Sequence, residues 1–356
     1  MVRILYGVAG EGMGHAVRSR VVIEHLQKYH EVRIVAASKA YHYLSSHFPV
    51  DEIDYFKIIY KNNRAANALT ALNNAIRFPL ILSKGWKIQR IIKDFDPDII
   101  ITDFEPLVAY FGVAHGIPVI SIDNQHIITD ALHDGIAKGF GIEEALTKAV
   151  IHSFIIKTDR RFITSYYGLK AQKKGSVVIS PLLRKEIFSL KPKDKGHILV
   201  YQTSTSNASL LPALRGIDRP FIVYGMDAEM KEGNVIFRKG DEKRFLLDLA
   251  SCSAVITNGG FTLISEALYL QKPILSIPVE GQFEQTLNAL YLKKLGYGVY
   301  AKKTTWEGIE AFLGNLPLLK KNLKKYKKYT NKDALGKIEY SIRLLMKRPA
   351  ISRARS

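Results

Sequence analysis

Residues 254–289 read AVITNGGFTLISEALYLQKPILSIPVEGQFEQTLNA, and their reading decides the fold. An apolar, β-branched run ends at Asn258. Gly259 and Gly260 then supply a turn, and helical spacing of apolar residues begins near Thr262. A second run, PILSIPV, leads into another helix. Strand, turn, helix and strand in this order make a parallel βαβ unit. The Gly-Gly turn opens a helix N-terminus, whose free N–H groups suit a phosphate. Glu266 sits one to two turns into that helix, where a carboxylate can accept both hydroxyl protons of a diol. Glu284, Gln285 and Asn288 follow the second strand, and amides that both donate and accept suit sugar hydroxyls. The stretch thus describes pockets for diphosphate, ribose and hexose in sequence.

The alternation extends outward. VRILYGV, HEVRIVAAS, DIIITD, IPVISID and RFITSYY are strands of a first half, separated by helical stretches such as AVRSRVVIEHLQKY. The segment SPLLRKEIFSLKPKDKG, with two prolines and mixed charge, reads as a linker. Beyond it HILVYQTST, PFIVYG and NVIFR restart the pattern. With 356 residues the chain exceeds the roughly 250–300 at which one core stops growing. The fold class is α/β, with helices on both faces of parallel sheets. The expected division is 1–183 as an acceptor-side domain, 184–196 as linker and 197–330 as donor domain. Residues 331–356 form a basic helix and tail, for which a place against the first domain is one option.

At the other end, GEGMGHAVRS (residues 10–19) joins the first strand to the first helix. Gly12 and Gly14 permit close backbone approach to phosphate. A dinucleotide site would need G-x-G-x-x-G and an acid ending the second strand. Here Ser38 and Lys39 stand in that place, which disfavours NAD. His15 could merely cap a helix. Placed after a glycine cradle at the carboxyl end of a strand, where open α/β sheets bind ligands, it is positioned to take a proton.

The donor half resembles that of GT-B glycosyltransferases. The likeness is strongest to the family 28-like group that adds N-acetylglucosamine to lipid-linked muramyl peptide, together with diacylglycerol glycosyltransferases. The matching positions are Gly259, Gly260, Ser265, Glu266, Pro273, Pro278, Gln285, Asn288 and Ala289. The resemblance implies two Rossmann-like domains facing a central cleft. It also implies an inverting, metal-independent transfer of a hexose or N-acetylhexosamine from a nucleotide sugar, UDP-linked, with no resident cofactor. His15 becomes the acceptor's base. Gly12, Gly14, Thr203, Ser204, Gly259, Gly260, Phe261 and Thr262 line the donor phosphates. Arg238 and Glu266 hold nucleotide and ribose, and Glu284, Gln285 and Asn288 hold the sugar. Arg18, Asp103, Glu105, Asn124, Gln125 and His126 face the acceptor, a lipid-linked or polymeric hydroxyl. Two departures stand out: QTSTSN replaces the family's glycine-rich loop, and Glu284 replaces the first of paired glutamines. The G-x-G-H-x-x-R string that ends in Arg18 also resembles nucleotide-sugar hydrolases, which share every donor residue.

Net charge is +19, and from Lys320 onward 13 Lys or Arg oppose two acids, Asp333 and Glu339, so that stretch carries +11. A solvated helix, an anionic membrane surface and nucleic acid are the three readings. No nucleic-acid motif accompanies the charge, so nucleic acid is disfavoured. A second basic stretch holds the apolar cluster Phe78, Pro79, Leu80, Ile81, Leu82 and Trp86, either core or membrane interface. One cysteine, no signal peptide and no apolar run of about 18 residues suggest a cytoplasmic protein, with attachment to the inner membrane face as an option. Asp94, Asp96 and Asp98 mimic a metal-binding D-x-D, but they lead into the amino end of a strand, away from the ligand edge, and no metal is expected.

Overall fold

The computed structural model describes residues 1–53, 60–61, 64–65, 85–155, 157–202 and 209–347. Two seven-stranded sheets carry the chain. The first holds β1 (Arg3–Val8), β2 (Glu31–Ala36), β3 (Val50–Glu52), β6 (Ile99–Asp103), β7 (Val119–Asp123), β8 (Arg160–Thr164) and β9 (Ser176–Ile179), in the order β3-β2-β1-β6-β7-β8-β9. Every pairing in it is parallel. A short antiparallel pair, β4 (Tyr60–Lys61) and β5 (Arg64–Ala65), lies apart. The second sheet holds β10 (Ile198–Tyr201), β11 (Phe221–Tyr224), β12 (Met230–Glu232), β13 (Val235–Arg238), β14 (Ala254–Thr257), β15 (Ile274–Ser276) and β16 (Gly298–Tyr300), in the order β12-β13-β11-β10-β14-β15-β16. Only β12 runs antiparallel to its neighbour.

Central strands are buried on both faces, as β6 and β14 show along their whole length. That burial explains their unbroken apolar runs. The edge strands β3, β9, β12 and β16 are short and partly exposed, and lack that signature. In each sheet the strand order reverses beside the first strand of its domain, between β1 and β6 and between β10 and β14. Loops at the carboxyl ends of such strands diverge and leave a crevice.

The helix Asn331–Met346 returns to the first domain, where Ala334, Ile338, Ile342 and Leu345 enter the same apolar cluster as Ile4, Val22 and Ile34. Another cluster joins the domains. Tyr166 stacks on Phe261 at 5.8 Å between ring centroids, and Tyr167 stacks on Tyr291 at 3.9 Å. Glu105 caps the helix Pro106–Ala114, accepting from the backbone N–H of Leu107 at 3.2 Å and Val108 at 2.6 Å. Burial pushes its carboxyl up to about 7 in spite of those two bonds.

Two expectations follow. Ile338→Ala should destabilise the protein by about 2–5 kcal/mol in denaturant unfolding, because a fully buried side chain is removed from the first domain's core. Glu105 holds its proton more tightly folded than unfolded. Its contribution is therefore complete below pH about 4.5 and is lost as pH rises through about 7. Glu105→Gln should flatten that part of the stability-versus-pH curve, which melting temperatures at each pH will read.

Candidate active site

The reversal point of the first sheet assembles a polar cluster. Helix α1 (Met13–Leu26) starts directly after Gly12, whose φ of 80° favours glycine. His15, Arg18 and Ser19 stand at i, i+3 and i+4 and share one face of α1. All three reach Asp103, the last residue of the adjacent β6, and its carboxylate is wholly buried. His15 Nδ1 lies 2.7 Å from Oδ1, Arg18 Nε donates to Oδ2 at 3.0 Å, Arg18 Nη2 to Oδ1 at 2.5 Å and Ser19 Oγ to Oδ2 at 2.9 Å. Burial opposes ionisation of Asp103, but the charge of Arg18 and the hydrogen bonds from His15 and Arg18 outweigh it and hold the carboxyl below its ordinary range. An ionised Asp103 can only accept, so His15 carries its proton on Nδ1. Nε2 is left to accept, and the Gln125 amide nitrogen lies 3.4 Å from it.

Across the cleft, Glu284 begins the helix Phe283–Lys294 of the second domain. Gln125 Nε2 bridges the two sides, 2.8 Å from Glu284 Oε2 and 3.4 Å from His15 Nε2. Burial raises the Glu284 pKa against the opposing charge of Arg18 and the hydrogen bond from Gln125. Gly259 has a φ of 96°, and a Cβ there would lie 2.8 Å from the Gln285 carbonyl oxygen and 2.9 Å from Ser276 Oγ, so the turn needs glycine. Asn288 Nδ2 donates to the Gly259 carbonyl at 3.1 Å, and Gln285 Oε1 accepts from the Val279 N–H at 2.9 Å. These two amides brace the turn and its neighbouring loop. The helix Phe261–Tyr269 meets the start of α1: Thr262 Oγ1 donates to the Gly14 carbonyl at 3.1 Å. The two glycine turns singled out by sequence therefore touch.

Glu266 faces the same cleft fully buried, but it is occupied. Arg184, at the head of the linker, grips it twice, Nε to Oε1 at 2.6 Å and Nη2 to Oε2 at 2.8 Å. The same guanidinium donates to Glu242 Oε1 at 2.9 Å. Glu242 in turn accepts from Arg20 at 3.1 Å and from the Tyr43 hydroxyl at 2.9 Å, both from the first domain. Sequence reading missed Arg184, Arg20, Tyr43 and Glu242. Nothing local marks them, since their partners lie 58 to 222 residues away.

Several expected residues stand elsewhere. Glu105 is turned inward as a helix cap, as above, and does not face an acceptor. Asn124 donates to the Thr164 carbonyl at 2.8 Å, fully buried. His126 Nδ1 lies 2.7 Å from Asp123 Oδ2, also inside. Both were placed on the acceptor side. They instead hold the loop after β7, because a buried polar group needs a partner more than it needs the cleft. Arg238, expected at the nucleotide, is bound to Asp248, which also accepts from the Tyr224 hydroxyl at 2.7 Å. Thr203 and Ser204, and the cluster Phe78–Leu82, lie outside the described residues. Asp96 pairs with Arg3 at 2.8 Å at the amino end of β6. Among the described residues no group of three or more His, Cys, Asp or Glu side chains could hold a metal ion. Nor is any described helix long and apolar enough to cross a membrane.

Comparison with known proteins converges on the same architecture. A glycosyltransferase of Methanosarcina mazei, itself uncharacterized, is 25% identical over 330 residues, covering 83% of this chain and 85% of its own. A UDP-N-acetylglucosamine transferase of Bacillus cereus, named as acting on N-acetylmuramyl-(pentapeptide) pyrophosphoryl-undecaprenol, is 43% identical over 61 residues, 16% of this chain and 17% of its own. Among solved structures, spinosyn forosaminyltransferase superposes with a TM-score of 0.65 at 15% identity, over 97% of this chain and all of that one. A UDP-glucosyltransferase from Polygonum tinctorium gives 0.67 at 11%, over 98% and 99%. These likenesses establish the GT-B fold. The sequence profile of glycosyl transferase family 1 matches residues 2–317, and the chain belongs to that family of glycosyltransferases.

Proposed function

We propose that the protein is an inverting, metal-independent enzyme that moves a hexose or N-acetylhexosamine from a UDP-sugar to a hydroxyl of a lipid-linked or polymeric acceptor. The observation that carries this reading is the His15–Asp103 pair, with Gln125 lying between His15 Nε2 and Glu284 of the second domain. The acceptor hydroxyl gives its proton to Nε2 while its oxygen attacks the anomeric carbon. The bond from that carbon to the diphosphate oxygen breaks, and the electron pair leaves with the nucleotide diphosphate. Asp103 stabilises the imidazolium that results. A single displacement inverts the anomeric centre.

In this reading Glu284 and Gln285 receive sugar hydroxyls, and Asn288 braces the turn behind them. The diphosphate is met by backbone N–H groups where α1 and the helix Phe261–Tyr269 begin, in place of a metal. Ribose binds Glu266, and so competes with Arg184 for its oxygens. The printed name of the Bacillus cereus relative supports a UDP donor.

His15→Ala should cut transfer by about 10²- to 10⁴-fold while leaving UDP affinity near normal. Asp103→Asn should lower turnover by several orders of magnitude, because the amide no longer enforces the productive tautomer. Unchanged single-turnover rates would remove the pair from the mechanism. Glu266→Gln should weaken UDP binding about 10-fold by calorimetry, the loss expected for charge-assisted hydrogen bonds to the ribose. Incubation with donor alone separates transfer from hydrolysis. Slow release of free sugar fits a transferase, whereas rapid stoichiometric release would make water the acceptor.

A further inference from the structure

The helix Gly141–Phe154 is turned inside out. Its exposed face carries Ile142, Ala145, Leu146, Ala149 and Val150, followed by His152 and Ser153 at the carboxyl end, with Ile142 at 81%, Leu146 at 53% and Val150 at 47% exposure. Its charged residues lie half-buried beneath. Glu144 pairs with Lys148 at 2.6 Å, and Glu143 looks toward Tyr300 of the second domain, whose phenol pKa is raised by burial and by that charge. Ile151 is the helix's one fully buried residue. A surface helix of a globular protein normally shows the opposite arrangement. Single exposed apolar side chains are ordinary, but a continuous row at i, i+4 and i+8 is a contact surface.

The row also leads somewhere. Its next member, Phe154, stacks on Phe104 at 5.5 Å, and Phe104 stacks on His15 at 6.4 Å. Apolar side chains thus run from the proposed base to the open surface. The amino end of the helix reaches the donor side, where Phe140 packs against Phe283.

The charges indicate what covers the row. Lys138, Lys157 and Lys174 are exposed, just before the helix, just after it and on the strand connection beside it, where Lys173, also exposed, pairs with the buried Asp130 at 3.0 Å. Lys173 is close enough to lower the His152 pKa, after burial. A second copy of a chain with net charge +19 would set these lysines against their own kind. A bilayer offers hydrocarbon to the row and phosphate headgroups to the lysines. We propose that the helix Gly141–Phe154 docks the protein on an anionic lipid bilayer, its apolar row in the interface and its flanking lysines on the headgroups. The proposal deepens the transferase reading, on which it rests for the acceptor, by drawing the acceptor hydroxyl from that surface along Phe154 and Phe104.

The test is co-sedimentation of the full chain with vesicles of phosphatidylcholine alone and with about a third phosphatidylglycerol, across a salt series. Binding should need the anionic lipid and weaken with salt. Leu146→Glu with Val150→Glu should reduce it at least about 10-fold, with melting temperature and UDP binding unchanged because both positions are exposed. Lys138→Gln with Lys157→Gln should lower the salt dependence. Equal binding by the Glu variant, equal binding to both vesicles, or a wild-type dimer that the Glu variant makes monomeric would each overturn the proposal. Transfer to a soluble acceptor is read separately. Its loss would sink the transferase reading and leave docking intact, and its survival without vesicle binding would do the reverse.

Discussion

Asp103 is a carboxylate with no exposed surface, and four hydrogen bonds from one helix keep it charged. A buried charge without partners costs several kcal/mol, so α1 cannot move away from the end of β6 without exposing both Asp103 and Arg18 to that penalty. The bond set does more than hold a helix. It fixes which nitrogen of His15 carries the proton, and it fixes where α1 begins. The start of α1 then meets Thr262, so the position of the second domain follows from the same carboxylate.

The cleft between the domains is closed by polar groups that a donor would itself want. Arg184 covers Glu266, and Gln125 covers Glu284. Neither carboxylate is left unpaired, as a buried charge in a low-dielectric crevice requires. On the proposed assignment, ribose and sugar hydroxyls would exchange with those partners, so that their affinity would be a difference between two satisfied states.

Much of this was legible in the residues. The doubly buried strands announced themselves as unbroken apolar runs, and Gly259 and Gly260 announced the strand-to-helix turn by local order alone. His15 could be placed at the ligand edge because a glycine turn and a strand end flank it. Its partner was harder to see. Asp103 could be placed at the ligand edge of β6, but its contact with His15 depends on β1 and β6 lying side by side, which local sequence does not encode. Arg184 was invisible for the same reason, since its partner Glu266 is 82 residues away. Glu105, Asn124 and His126 misled because a polar residue after a strand can serve the loop itself as well as a ligand. The helix Gly141–Phe154 shows the limit of periodicity. Its apolar row has ordinary helical spacing, and only the packed structure reveals that the row faces outward.

The chain passes between its domains twice, once at Leu183–Lys185 and again between Tyr326, in the cluster that joins the domains, and Ala334, in the core of the first. The two crossings are tied together. Asn331 accepts from the Leu183 N–H at 2.9 Å and donates to the Leu183 carbonyl at 2.6 Å, as a neighbouring strand would. Two covalent threads pinned at one edge leave the domains a single easy motion, rotation about the line of the pin. Sliding or twisting would tear the clasp before it opened the crevice. A rotation that kept both bonds would turn about Leu183 and Asn331, as a book turns about its binding.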